Sequence, residues 1–361
     1  MIWYWPRCQN LKKSKTNLDQ NILIVGQGLL GTLLGSVLDD LQIKFQIIDQ
    51  LRPYAASRLA AGIIHPISGR RYVKSWNYDQ LETEFKACYT RIEAKLNSKF
   101  LYDHNVLLAV NSIKEENDLM SQANRYAYEQ LIHPFELDQD ILSPGLRGVY
   151  AVKSYRLDIL LLLDLFRSVW LASGYLNDTA FEYQNLKYSA DVWHYNDQTF
   201  SHVVFCEGAA VVNNPFFKNI PIVPNKGQMM WIESEGWSSQ HTLKHQLMVS
   251  GYGQKHWVGA TYEWDYNQVE PTPEGQAVLV NQLNKMLKGN YRIISQHAGL
   301  RPTVSDRKPI ITCHADHHNM WSINGLGTKG SSMAPYVVNR FIDLLAHPDS
   351  KNEFGINRLF K

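Results

Sequence analysis

Cysteine is scarce in this chain: four residues in 361, Cys8, Cys88, Cys206 and Cys313, with no CxxC pair among them. That excludes a zinc ribbon or a disulfide scaffold, and reduced thiols in a cytoplasm are the plain expectation. An excess of one charge is equally absent. With 36 Lys and Arg against 34 Asp and Glu, the formal charge of +2 gives no compositional argument for nucleic acid or an anionic membrane, although a local basic patch is compatible with that balance. Long apolar runs are missing too: "LDILLLLDLFRSVWLA" is broken by Asp158, Asp164 and Arg167 at helical spacing and reads as an amphipathic helix, so no membrane span is expected. The opening "MIWYWPRCQNLKKSKTNLDQ" carries Lys12, Lys13 and Lys15 with no apolar segment behind them, so residues 1–20 read as an extension and not a secretory signal. There is no GxSxG for a serine hydrolase and no HExxH around His241 and His245. The cluster "CHADHHN" offers Cys313, His314, Asp316, His317 and His318, but it lies between two apparent strands, reads as a polar hairpin, and no metal is expected there.

What the chain does have is a glycine turn in the right surroundings. In "NILIVGQGLLGTLLG" an apolar β-branched strand runs into Gly26, Gly28 and Gly31, which open a helix through Leu38. Gly26 permits the tight turn, Gly28 lets the backbone approach a pyrophosphate and Gly31 lets helix and strand pack closely, while the free N–H groups of the helix start face negative charge. A second strand, "FQIID", ends at Asp49, the distance downstream at which an acid reaches a ribose hydroxyl. This much leaves nicotinamide and flavin both open, since the same unit binds either.

Further along, Ala55, Ala56, Ser57, Ala60, Ala61 and Gly62 make a run of small residues. A polar-faced helix follows from Tyr78 to Leu96, then the strand "LYDHNVLLAV", then two helical stretches with Glu115, Glu116 and Asp118. A helix from Tyr155 to Ser173 leads to a hairpin turning at Asn196 and Asp197 and to a buried strand, "HVVFCEG", closed by Gly208 to Ala210. Between Pro221 and Gly259 short strands alternate with polar turns as in an antiparallel sheet. A helix from Pro273 to Leu287, the strand "YRIISQHAGLRP" and a second strand, glycine turn and helix with Gly325, Gly327 and Gly330 complete the chain. One βαβ unit followed by antiparallel strands is not how a nicotinamide dehydrogenase continues. A helix start at the second turn would stabilise charge developing on a reduced flavin. The ten Trp and 19 Tyr suit a pocket lined with rings.

Taken in order, "IVGQGLLG", Asp49, "ASRLAAGIIHP", "VVFCEGA", "PNKGQMM", "VGATYE", "GLRPTVSDRKPII" and "INGLGTKGSSMAP" resemble the FAD-dependent amine and amino-acid oxidoreductases of the D-amino-acid oxidase, glycine oxidase and sarcosine oxidase type, over residues 21 to 345. The resemblance implies an α/β fold in which a discontinuous Rossmann-like FAD-binding domain (21–77, 151–215 and 296–361) is interleaved with a substrate domain built on an antiparallel sheet (78–150 and 216–295). It implies FAD contacts from Gly26, Gly28, Leu29, Leu30, Gly31, Asp49, Gln50, Ser57, Ala61, Gly62, Gly208, Ala209, Arg301, Gly325, Gly327, Thr328, Lys329 and Gly330. FAD is expected to be noncovalent, because Leu59 stands where a histidyl link would fall and Cys313 lies well past the Arg301 loop.

By the same resemblance Arg301 pairs with a substrate carboxylate, Tyr262 lies over the substrate and His65 follows the loop beside the flavin ring. From the residues alone, Arg301 reads also as an exposed loop arginine paired with Asp306, Tyr262 as a core aromatic and His65 as a hydrogen-bonded loop histidine. Family members with a defined amino-acid pocket often carry a Tyr in the strand before "VGAT"; here "HQLMVSG" has none until Tyr252. The expected reaction is hydride loss from a carbon bearing an amine to flavin N5, with oxygen as acceptor and a small amine or amino acid as substrate. "TVSDRKP" and "GTKG" are also similar to the oxidase domain of a bifunctional tRNA wobble-uridine-modifying enzyme, which keeps RNA as an alternative partner. A flavin-binding protein without turnover is a third reading.

Overall fold

A computed structural model describes residues 20–359 except 53, 70, 138–141, 235–236 and 238–240. The expected extension before residue 20, with Cys8, lies outside the described residues. The chain separates into two compact units: one gathers the residues up to Arg58, Leu160–Pro224 and those from Arg301 on, the other Leu59–Ile159 and Asn225–Leu300. Ala61, Gly62 and His65 fall in the second unit.

The first unit is built on a six-stranded sheet in the order Ile310–Cys313, Met320–Asn324, His202–Phe205, Asn21–Val25, Lys44–Ile48, Leu176–Asn177. All neighbours run parallel except the edge strand Ile310–Cys313. Its strands are continuous apolar runs because both faces are covered. Leu23, Val25, Val203 and Phe205 pack with Trp193, Phe200 and Tyr195 of a small antiparallel meander, whose two-residue turn is formed by Asn196 and Asp197, Asn196 taking a positive φ of 50°.

The second unit carries a largely antiparallel sheet in the order Tyr291–Thr303, Val223–Ser234, Lys255–Gly259, Met248–Tyr252, His241–Lys244, Leu101–Val110, Gly148–Leu157, Ile63–Ile64. One pair, His241–Lys244 with Leu101–Val110, is parallel. Alternation sorts its faces. Leu107, Leu243, Val249 and Val258 pack on Leu279 and Leu283 of the Pro273–Asn284 helix. The opposite face presents His104, Thr242, Ser250 and Trp257, all buried.

Two sequence readings need correction. The stretch from Tyr155 is not helical at its start: Tyr155, Arg156 and Leu157 end the Gly148–Leu157 strand, paired with Asp103, Tyr102 and Leu101, and the helix is Ile159–Ala172. The cross-strand ladder outweighs local helical periodicity there. The two helical stretches after Val110 are one helix, Ile113–Arg125, and a single 3₁₀ turn, Glu129–Leu131, separated where Ala127 takes a positive φ.

The Pro273–Asn284 helix begins on Thr272, whose hydroxyl accepts from Gly275 N–H at 3.1 Å and from Gln228 Nε2 at 3.1 Å. Thr272→Ala should cost about 1–2 kcal/mol by loss of the cap, read as a lower urea midpoint with an unchanged slope.

Candidate functional site

The glycine turn of the first unit is shaped by backbone approach. Gly26 has a φ of 101°, and a Cβ there would stand 2.6 Å from the carbonyl oxygen of Cys206. A Cβ on Gly31 would stand 1.9 Å from the carbonyl oxygen of Gly26. Gly28 caps the Leu29–Asp40 helix without a side-chain bond, and Ser57 Oγ accepts from Leu29 N–H at 3.2 Å, so Ser57 closes over the helix start. That hydroxyl and the open backbone at Gly28 leave a cradle for an anion at a positive helix end.

The carboxylate of Asp49 is held on both sides. Oδ1 accepts from Gln27 N–H at 2.9 Å, and Oδ2 pairs with Arg167 Nη1 at 2.9 Å. Arg167, its side chain 9% exposed, also reaches Gln27 Oε1 at 2.8 Å and Asp178 Oδ1 at 2.5 Å. The charge that interrupts this amphipathic helix in the sequence faces inward, and the helix exposes Leu160, Leu161, Val169 and Leu171. No helix of the described residues is long and apolar enough to cross a membrane.

Three further segments close on the same unit. Gly208, with a positive φ, opens a 3₁₀ turn that contains Ala209, and its carbonyl accepts from Asn324 Nδ2 at 2.8 Å. Asn324 Oδ1 in turn accepts from Gly325 N–H at 2.8 Å, and Gly327 N–H donates to Pro302 O at 3.0 Å. The glycine turn at 325–330 is thereby stitched both to the 208 turn and to the strand bearing Arg301. Gly330 opens the Gly330–Ala346 helix with Leu29 Cδ2 3.6 Å from where its Cβ would lie, so the two helix starts adjoin. Thr328 is exposed, and Gln50 and Leu30 flank the turns at Asp49 and Leu29. Asp306, the alternative partner of Arg301, is instead paired with Arg358 at 2.7 Å.

Glu207 was not singled out from the sequence. Its carboxylate accepts from the Tyr183 hydroxyl and from Asn214 Nδ2 at 2.8 Å, and burial pushes its pKa up. Only the neighbouring Gly208 gave a signal for this position.

The remaining predicted residues lie in the second unit. Gly62 is required by strand pairing, since its Cβ would meet Leu157 O at 1.9 Å. Ala61 O accepts from the Tyr252 hydroxyl, and Leu59 O from Trp257 Nε1 at 2.9 Å. His65 Nε2 lies 3.0 Å from Lys244 Nζ, and its Nδ1 accepts from Ile67 N–H at 3.3 Å. Tyr262 is 63% exposed and so is no core aromatic. The loop carrying it is anchored beneath by Glu263, which accepts from Gln228 Nε2 at 2.9 Å and from Thr261 Oγ1 at 2.5 Å. Among the described residues no group of three or more His, Cys, Asp or Glu side chains is placed to hold a metal ion.

A family model described as FAD dependent oxidoreductase matches residues 21–339. The chain belongs to this family. Its fold is similar to that of iminodiacetate oxidase from Chelativorans sp. BNC1 (TM-score 0.75, 19% identity, 93% of this chain and 98% of that one). It is similar also to glycine oxidase from Geobacillus kaustophilus (TM-score 0.76, 16% identity, 94% and 98%). Over 128 residues, 33% of the chain, the sequence is 31% identical to the tRNA 5-methylaminomethyl-2-thiouridine biosynthesis bifunctional protein MnmC of Idiomarina loihiensis, and the match spans only 20% of that protein. The cofactor of the family, FAD, fits the turn on structural grounds, because positions 26 and 31 admit no side chain and the helix start presents the bare backbone of Gly28 beside the Ser57 hydroxyl.

In this FAD oxidoreductase Arg167→Met would leave two carboxylates without their shared cation, and FAD binding to the apoprotein should weaken by about tenfold, read by quenching of FAD fluorescence. Lys329 gives a second expectation. Burial, with the field of Arg307, lowers its pKa from 10.5 to about 8. Between those values the unfolded chain binds the proton and the folded chain does not, so stability should rise as pH rises from about 8 to 10.5. Lys329→Met should flatten that rise, measured by urea unfolding of FAD-free wild type and variant across the range.

Proposed function

We propose that this enzyme oxidises a C–N bond of a small amine or amino acid of the glycine, sarcosine or D-amino-acid type, with noncovalent FAD and oxygen as the final acceptor. The reading rests chiefly on the hydrogen bond from Gly327 N–H to Pro302 O at 3.0 Å, which holds Arg301 beside the glycine turn at the start of the Gly330–Ala346 helix. Arg301 offers a planar, permanently charged fork for a substrate carboxylate. When bound, FAD supplies the two-electron acceptor for the hydride that leaves the amine-bearing carbon; the resulting imine hydrolyses in water.

In this reading the first unit holds FAD through Gly26, Gly28, Leu29, Leu30, Gly31, Asp49, Gln50, Ser57, Gly208, Ala209 and Gly325 to Gly330. Ala61, Gly62, His65 and Tyr262, which the resemblance assigns to the cofactor or the substrate, lie in the second unit. Leu59 offers no nucleophile for a flavin link, and the Cys313 thiol is raised by burial to about 11, which supports noncovalent binding. Free Cys88, Cys206 and Cys313 support a reducing, cytoplasmic setting. A second reading, oxidation of an alkylamino uridine in tRNA, is favoured by the 31% identity to MnmC over a third of the chain.

The test is the visible spectrum of the FAD-loaded protein before and after anaerobic glycine, sarcosine, D-amino acids and proline. Bleaching by one of them is the expected result; bleaching only by a modified tRNA would replace this reading with the second. Arg301→Ala should retain FAD and raise the apparent Kd for the bleaching amino acid by about tenfold or more, and an unchanged Kd would remove Arg301 from carboxylate binding.

A further inference from the structure

Two neighbouring strands of the first unit stop pairing before they reach the turns assigned to the cofactor. His202–Phe205 and Met320–Asn324 run parallel, and their last rung sets Phe205 opposite Ser322. Beyond it Cys206 and Glu207 lead one chain into the 3₁₀ turn Gly208–Asn213, while Ile323 and Asn324 lead the other into the turn at Gly325. Backbone groups past the last rung have no partner in the ladder and need one elsewhere.

The side chain of Asn324 supplies it. Asn324 is 1% exposed; its Nδ2 donates to Gly208 O at 2.8 Å, and its Oδ1 accepts from Gly325 N–H at 2.8 Å. One amide thus offers a donor to one turn and an acceptor to the other, as a peptide group does within a ladder, and carries the connection past the end of the pairing. Gly208 has a φ of 57°, and a Cβ there would meet nothing within 4 Å, so packing does not fix that position. Gly325 has a φ of 80°, and a Cβ there would stand 2.7 Å from Val304 Cγ2. From this turn the link runs on through Gly327 N–H to Pro302 O.

The same device stands at the other end of the strand. Asn319, just before Met320, accepts from Trp193 Nε1 at 3.0 Å and donates to Ser201 O at 2.9 Å. Ligands of an open parallel sheet gather at the carboxyl ends of its strands. Asn319 and Asn324 are therefore matched in chemistry and differ in which end of the sheet they serve.

Resting on the assignment of FAD to the Gly208 turn and the Gly325 to Gly330 turn, we propose that Asn324 is a positioning residue for the cofactor, joining the two turns into one element that closes on FAD as a unit. It acts through the backbone of Gly208 and Gly325.

The test compares Asn324→Leu with Asn319→Leu. Each substitution keeps about the same side-chain volume and removes an amide that bridges two buried partners, so each should lower the urea midpoint of the FAD-free protein. Only Asn324→Leu should raise the Kd for FAD, by about tenfold or more in fluorescence quenching, and alter the visible circular dichroism of FAD bound at saturation; Asn319→Leu should stay within about twofold with the wild-type spectrum. Equal changes in the two variants, or none in Asn324→Leu, overturn the proposal. A second measurement uses the wild type alone and decides if Asn324→Leu does not fold. The amides of Gly325, Gly327 and Ala210, the last donating to Glu207 O at 3.2 Å, should gain hydrogen-exchange protection by a common factor when FAD is added, as one cooperative element does, and unequal gains overturn the proposal. Gly327→Ala, within the turn itself, separates the proposal from the assignment beneath it: weaker FAD binding there with none in Asn324→Leu removes Asn324 alone, and no effect in either removes the turn from the cofactor site as well. Flavin bleaching by amines is scored apart, because amine oxidation can fail with all these affinities unchanged.

Discussion

Position 31 has room for a hydrogen and nothing more, because the carbonyl oxygen of Gly26 occupies the place of a side chain. Position 26 is confined in the same way by Cys206 at the end of the neighbouring strand. The strand Asn21–Val25, the helix Leu29–Asp40 and the strand His202–Phe205 are thus clamped at one point, and other features of the first unit are referenced to it. Gly26 N–H donates to Ile48 O at 2.9 Å, which brings the end of the Lys44–Ile48 strand into line. Gln27 N–H then donates to the Asp49 carboxylate. Close packing of backbone on backbone brings the helix start within reach of an anion, with the Ser57 hydroxyl beside it.

Around that clamp the charges are arranged to be fixed rather than mobile. Arg167, itself buried, ties Asp49, Asp178 and Gln27 into one network whose Asp178 end reaches solvent. The second unit handles buried polarity differently. Lys226, 1% exposed, donates to Gln268 O at 3.0 Å, and Gln228 serves Glu263 and Thr272 together, so these groups are satisfied by one another.

The sequence made the framework legible where a local rule and the tertiary structure agree. Tyr78–Leu96 and Leu101–Val110 appear with the bounds that periodicity suggests, and the glycine turn forms as its spacing implies. It was less legible where long-range pairing decides. Tyr155 to Leu157 sit in a helix-like apolar context, yet the partner strand fifty residues earlier holds them extended. The inward face of the Ile159–Ala172 helix was not legible for a related reason: an ion network turns Arg167 inward, whereas hydropathy alone ranks arginine as an exposed residue. For the site, glycines and Asp49 carry signatures in their spacing. Arg167 carries none, because its partners Gln27 and Asp49 lie more than a hundred residues away along the chain, and Glu207 none, because Tyr183 and Asn214 make no motif with it.

Both units are assembled from separated stretches of chain, and that sets an order of events at the ribosome. The strand Asn21–Val25 has one partner early, Lys44–Ile48, but its other edge waits for His202–Phe205, and that strand in turn waits for Met320–Asn324. The second unit has all its residues once Leu300 is made. During synthesis it therefore has its whole sheet in hand while the strand His202–Phe205 of the first unit still shows one unpaired edge, the edge that Met320–Asn324 later covers.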